Sequence, residues 1–428
     1  MSVTVATPAN PVEVSRALAP ISWKAPIAYG VLTAITLVGF ALNTGADVTS
    51  QLAIPTGSEW LGTLRFEVPT LAGIGVLAFV QGVLGVWAWR WTAARAKIGI
   101  WLPALFGFAF VSSFLLWAVA GKDQPLQVTG LLSGTLFLSV PLVFGAMAGC
   151  VCEHVGVINV AIEGQLLAGA FLAAVIGSLT GNPWLGLICA PLAGALVGAL
   201  LALFAVRYWV DHIIVGVVLN VLVTGLTSYF FSTVLTKNQE VFVPTTLPTW
   251  PIPLLSQIPV LGPVLFSQNV LVYIMYLAVA ALQVFLFRSR WGLRMRACGE
   301  HPRAADTVGI KVNRTRVLNT ILGGAIAGLG GAFFTVAAGL AFGKDMSAGR
   351  GYIALAAMIL GGWKPGGALA AALLFSFADN LQNVLGVVGV GIPSQFMLMT
   401  PYLATIFAVA GLVGKVRAPA QEGTAYKG

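Results

Sequence analysis

The chain has 428 residues, of which 58% are hydrophobic and only 9% charged. A soluble globular domain carries roughly 25% charged residues, so the composition excludes a water-soluble enzyme, a disordered chain and a disulfide-stapled secreted domain. The 23 Lys+Arg outnumber the 14 Asp+Glu for a net charge of +9. The basic residues sit at the ends of apolar runs rather than among aromatic residues on a polar face, which points to a lipid bilayer and away from nucleic acid.

A segment 1–25 lacks the short apolar core and cleavage site of a signal peptide. Apolar runs then follow near 26–43, 69–89, 98–120, 130–150, 157–178, 184–206, 212–234, 269–287, 317–338, 351–362, 367–386 and 396–414. These predict an all-α, polytopic transmembrane bundle of about 10–12 spans. The run 351–362 is too short to cross ~30 Å of hydrocarbon as a straight helix. Gly349, Gly351, Gly361, Gly362 and Pro365 bracket it, so it is expected to be discontinuous or re-entrant, buried in protein or lining a cavity. With the N-terminus inside, only Arg65, Lys122, Lys237, Lys344 and Arg350 of the 23 basic residues face outward. That asymmetry predicts a multi-pass protein with both termini cytoplasmic and an even number of crossings.

The division expected along the chain is a cytoplasmic segment 1–25, about three N-terminal spans in 26–127, a core 128–414 and a cytoplasmic tail 415–428. Two loops stand out. The outer loop 235–268 carries Pro244, Pro248, Pro251, Pro253, Pro259 and Pro263 with almost no charge. It reads as a segment packed on the outer surface, with a short helix at 254–258. The inner loop 288–316 is rich in Arg and Lys, and within it CGEHPRAADTVGI reads as a complete short helix. Glu300 or His301 precedes it, Pro302 takes the first position and Gly309 ends it.

Glu163 and Asp379 are the two carboxylates inside apolar runs. Ionisable residues there cost roughly 2.5–3.5 kcal/mol on insertion scales and mark functional candidates. Asn159, four residues before Glu163, is expected on the same helix face. Ser376, Asp379, Asn380 and Asn383 form a polar stripe at i, i+3, i+4 and i+7, and Asn220, Thr224, Thr227 and Ser228 form another. Such stripes line a hydrated interior or bond helices to one another. No catalytic residue or metal site is expected. Cys150, Cys152, Cys189 and Cys298 and the histidines His154, His212 and His301 lack ligand spacing. There is no G-x-x-x-x-G-K-[ST] phosphate loop, so the chain is not expected to hydrolyse ATP itself.

CEHVGVINVAIEGQLLAGAFLAAVIG, RMRACGEHPRAADTVGIKVNRTRVLNTILGGAIAGLGGAFF and GRGYIALAAMILGGWKPGGALAAALLFSFADNLQ occur in that order. Together they resemble permease subunits of bacterial ABC importers, in the class serving branched-chain amino acids, ribose-type sugars and nucleosides. The GGWKPGGA-to-FADNLQ form is most similar to nucleoside and simple-sugar permeases. The resemblance implies a cytoplasmic-membrane transport subunit that is not an enzyme and binds no cofactor, with ATP used by partners. Those partners would be a second permease subunit, two cytoplasmic ABC ATPase subunits and an extracytoplasmic substrate-binding protein. It further implies that helix 302–308 inserts into the ATPase, with Arg303 and Asp306 as ion-pairing groups. A nucleoside would then be held by Asn159, Glu163 and Asp379 at its hydroxyls and stacked on Phe375 or Tyr352. The competing expectation is an ATP-independent secondary transporter or channel, which also uses broken helices and midplane polar residues.

Overall fold

A computed structural model of the chain describes residues 23–56, 62–96, 99, 101–122, 124–389, 399 and 417–427. The expected run 396–414, Met399 apart, and the basic residues Arg16, Lys97 and Lys415 lie outside the described residues. Among the described residues, ten helices are long and apolar enough to cross a membrane. The all-α polytopic class is therefore what the chain adopts.

Contacts divide the chain into two units. The first is built on α1 (Lys24–Ala34, continued as a π-helical turn Ile35–Ala41), α2 (Thr70–Ala93) and α3 (Trp101–Ala118). Tyr29 stacks on Phe106 with ring centroids 4.3 Å apart. The buried Gln81 amide accepts from Thr36 Oγ1 at 2.9 Å and donates to Ser113 Oγ at 3.1 Å. One amide thus satisfies polar groups on all three helices, the economical solution where no water is at hand.

The second unit holds segment 51–66 and everything from Lys122 onward. Its helices are α4 (Val128–Glu153), α5 (Ile162–Thr180), α6 (Pro183–Ala202), α7 (His212–Phe230), α8 (Val270–Arg288), α9 (Arg290–Glu300), α10 (Pro302–Thr307), α11 (Val312–Gly331), α12 (Arg350–Leu360) and α13 (Pro365–Val388). Local chemistry sets their starts. Asn182 caps α6 through Trp184 N at 3.0 Å with Pro183 at the first position. Asp211 caps α7, Asn269 caps α8 and Ser289 caps α9, each supplying an acceptor to otherwise orphaned N–H groups.

Helix α4 is the axis of this unit, buried along most of its length. Beside it, α6 and α11 cross through a seam of glycines. A Cβ on Gly194 would strike the Gly324 carbonyl and approach Gly328 Cα to 2.6 Å. Small residues let the backbones touch, and dispersion over that contact replaces the hydrophobic drive that lipid does not supply. The outer segment, expected to pack on the surface, is tied down by backbone hydrogen bonds, but most of its side chains, Trp250 and Leu254 among them, are exposed. Thr249–Pro251 pairs antiparallel with Ser267–Asn269, Leu247 N donates to Val336 O at 2.7 Å, and the expected short helix is a 3-10 turn over Leu255–Gln257.

Candidate functional site

Helix α12 has 11 residues, about 16 Å at 1.5 Å per residue, and is the short element anticipated at 351–362. Its start is held by Glu163. One carboxylate oxygen accepts from Ser347 Oγ at 2.6 Å and Gly349 N at 2.9 Å, and the other accepts from Gly351 N at 2.6 Å. Gly349 enters the helix at φ +78°, and Gly351 lies so close that a Cβ would meet Glu163 N and Cα at 2.5 Å. The buried charge is thus neutralised by the positive end of a half-length helix. At the other end of α12, Trp363 Nε1 donates to Glu153.

Asn159 does not share a helix face with Glu163, because the chain is non-helical from 154 to 161 and α5 begins only at Ile162. Gly156, at φ +86°, breaks the helix. The Asn159 amide instead exchanges hydrogen bonds with Gln165, at 3.0 and 3.2 Å. Asn220 accepts from Gly164 N at 2.8 Å and donates to Val160 O and to the Tyr352 hydroxyl. It ties α7 to the α5 junction and to α12. Asn380 donates to Leu131 O at 2.7 Å, and Phe375 is 1% exposed within the core. A base could not stack on that ring without displacing core side chains. Asn383 is exposed on the last turns of α13.

What remains part-exposed within the bundle is a patch at the first turn of α12. Arg350 Nη2 pairs with Asp379 Oδ2 at 3.3 Å, with both side chains under a third exposed. The Arg350 guanidinium also lies over the Phe334 ring at 5.7 Å, and Tyr352 beside it is exposed. The sequence reading grouped Arg350 with outward charges and missed this pairing. Its signal was available: a carboxylate and a cation, each isolated in apolar surroundings, are cheapest together.

A second feature went unanticipated. A cavity of about 480 Å³ opens between the ends of α5 and α7 and the segment 335–342. Phe231, Phe242 and Phe342 supply flat walls, and Gln239, Thr245 and Thr335 supply polar atoms. Its size and its few polar groups suit a small organic ligand. The rings come from three separate segments, so no local motif revealed them.

On the basic side, α10 matches its expected form. His301 precedes it, Pro302 occupies its first position and Gly309 follows it at φ +85°. Pro302 and Ala305 are buried, with Ala305 packed in a cluster with Cys298 and Val312, while Arg303, Asp306 and Val308 are exposed. The C-terminal residues 417–427 dock here. Gln421 N donates to Gly299 O, Gly423 N to Gly156 O, Ala420 N to Glu300 Oε2, and Arg316 Nη1 to Thr424 O at 2.7 Å. Glu422 reaches Glu153, and its burial pushes its carboxyl above the usual range. Burial, with Arg296 nearby, lowers the His154 imidazole below its ordinary value.

The model of the family described as branched-chain amino acid transport system / permease component matches residues 131–414. The guanosine ABC transporter permease protein NupQ of Bacillus subtilis is 37% identical over 305 residues, covering 69% of this chain and 96% of the relative. The nucleoside ABC transporter permease protein NupC of Lactococcus lactis is 38% identical over 307 residues, with the same coverage. A second guanosine permease protein of Bacillus subtilis, NupP, is 28% identical over 298 residues, covering 65% of this chain and 82% of the relative. No solved structure matches the chain.

Proposed function

The chain belongs to the branched-chain amino acid transport system permease family, and on that premise we propose that it is the membrane-spanning subunit of an ATP-driven nucleoside importer. The observation that carries the substrate class is its 37% and 38% identity to guanosine and nucleoside permease proteins over 96% of each. Nucleosides are neutral, carry hydroxyls and present a flat base. The Arg350–Asp379 pair and the exposed Tyr352 offer hydroxyl-binding groups at membrane depth, where lipid is the wrong neighbour. They are assigned to the pathway, facing a second permease subunit. Phe231, Phe242 and Phe342 offer stacking surfaces in the outer cavity. Asn159, Glu163, Asn220, Phe375 and Asn380 act as positioning residues that hold the broken helix and its neighbours.

Energy comes from outside this chain. Two cytoplasmic ATPase subunits bind and hydrolyse ATP, and this subunit binds no cofactor or metal of its own. Helix α10 is their coupling element, because its Pro302–Ala305 side is anchored while Arg303, Asp306 and Val308 are exposed, with Asp306 bonded to Tyr426 of the docked tail. Glu300, His301 and Gly309 shape that knob. An extracytoplasmic binding protein delivers substrate, and both termini lie in the cytoplasm, on the side rich in Lys and Arg. The secondary-transporter alternative finds no support in the family relationship.

The test is uptake of labelled guanosine by the full complex in proteoliposomes loaded with ATP. Uptake that requires ATP is expected. Equal uptake without ATP, or transport of simple sugars to the exclusion of nucleosides, would overturn the proposal. Asp379→Asn is expected to raise the KM for uptake roughly tenfold, the loss of one charge-assisted hydrogen bond. An unchanged KM would remove Asp379 from the pathway.

A further inference from the structure

A groove of about 800 Å³ lies between α9 and the start of α11, at the end of the bundle where the basic residues concentrate. Arg290, Arg294, Lys311 and Arg314 line it, all exposed, and no carboxylate is among its lining residues. None of the four is in an ion pair among the described residues. Between them the groove is apolar, with Trp291 and Leu318 on its walls. Trp291 is fixed by donation from Nε1 to Asn319 Oδ1 at 2.9 Å.

Depth identifies the occupant. The span α8 ends at Arg288, two residues before the groove begins, and Leu318 lies within the membrane-crossing length of α11. Arg290, Arg294 and Lys311 lie just outside these crossing segments and Arg314 in the first turn of α11, where headgroups would be met, while the groove runs on to Leu318 with a tryptophan where interfacial belts place one. A free anion would satisfy the cations and leave the apolar walls uncovered. We propose that this groove binds the headgroup and upper acyl chains of an anionic phospholipid, which satisfies both at once. The site is separate from the pathway patch at α12, and it adjoins α10 through Val308 and Gly309. A bound lipid would brace the base of the coupling helix.

The experiment is native mass spectrometry of the full-length chain equilibrated with phosphatidylglycerol or phosphatidylcholine. Selective retention of phosphatidylglycerol is expected, and removing two cations with Arg290→Gln/Arg294→Gln should weaken it more than tenfold, since each basic group near an anionic surface contributes roughly fivefold. The charge-conserving pair Arg290→Lys/Arg294→Lys should retain the lipid, which separates lost binding from lost folding. Arg207→Gln, a basic residue outside the groove, should leave retention unchanged. Equal retention of both lipids, or full retention by the Gln pair, would overturn the proposal. Inorganic phosphate displacing the lipid at millimolar concentration would reassign the site to a free anion. Loss of ATPase assembly in the Gln pair with phosphatidylglycerol still bound would reassign it to the ATPase.

Discussion

Glu163 commits both carboxylate oxygens to its own chain, to Ser347, Gly349 and Gly351. A Gln there keeps one acceptor and turns an NH₂ group toward donors. Glu163→Gln is therefore expected to leave a buried N–H unpaired and lower stability by about 1–3 kcal/mol, read as a lower melting temperature in detergent. An unchanged melting temperature would show that α12 does not depend on this cap. The sequence marked Glu163 as costly and worth explaining, because a lone carboxylate in an apolar run is visible locally. It did not show the cradle, whose donors lie more than 180 positions away in the chain and meet it only through tertiary packing.

At the scale of elements, contacts between backbones decide more than side-chain character. The crossing of α6 and α11 has no room for a Cβ at Gly194, whereas a Cβ at Gly225 on α7 meets nothing within 4 Å. Gly194→Val is expected to destabilise by about 1–3 kcal/mol through overpacking, and Gly225→Ala to be neutral or slightly stabilising through better helix propensity. Thermal unfolding in matched detergent compares the two, and equal effects would dissolve the seam as an explanation. The docked tail makes a second prediction at this scale. Burial raises the Glu422 carboxyl, opposed by its hydrogen bond with Glu153, so the docked tail holds a proton more tightly than the released one. Docking is fully supported below the ordinary carboxyl pKa and weakens as pH rises through the raised value. A spin label introduced by Ala425→Cys should become more mobile with rising pH, and Glu422→Gln should weaken that dependence, leaving the part carried by its partner Glu153. Mobility that instead falls with rising pH would contradict the assigned sign.

For the molecule as a whole, charge asymmetry sets orientation. The tail, α10 and the 154–161 junction share one end, since Gln421 and Gly423 bond to Gly299 and Gly156. Lys122 donates to Gly389 O at 2.7 Å, which gathers two loops expected on the outer side. A fluorescent-protein fusion after Gly428 should therefore fluoresce, as such fusions do only on the cytoplasmic side, and a dark, fully expressed fusion would reverse the orientation. The proposed second permease subunit is checked by co-purification with the tagged chain, and an assembled complex that holds a single permease copy would exclude it.

The sequence by itself determined the membrane class, most span positions, the shortness of α12 and the Pro302-to-Gly309 form of α10. Each follows from local composition, a run length or a residue that fixes its own backbone dihedral, and none needs a distant partner. Only the tertiary structure decided that Asn159 sits on an unwound junction, that Arg350 answers Asp379, that Phe375 is sealed in the core and that the tail closes over Gly156 and Arg316. Those outcomes depend on which surfaces meet. In a chain this apolar, many pairings satisfy the same local pattern, and backbone contact at small residues together with the need to partner each buried polar group selects among them.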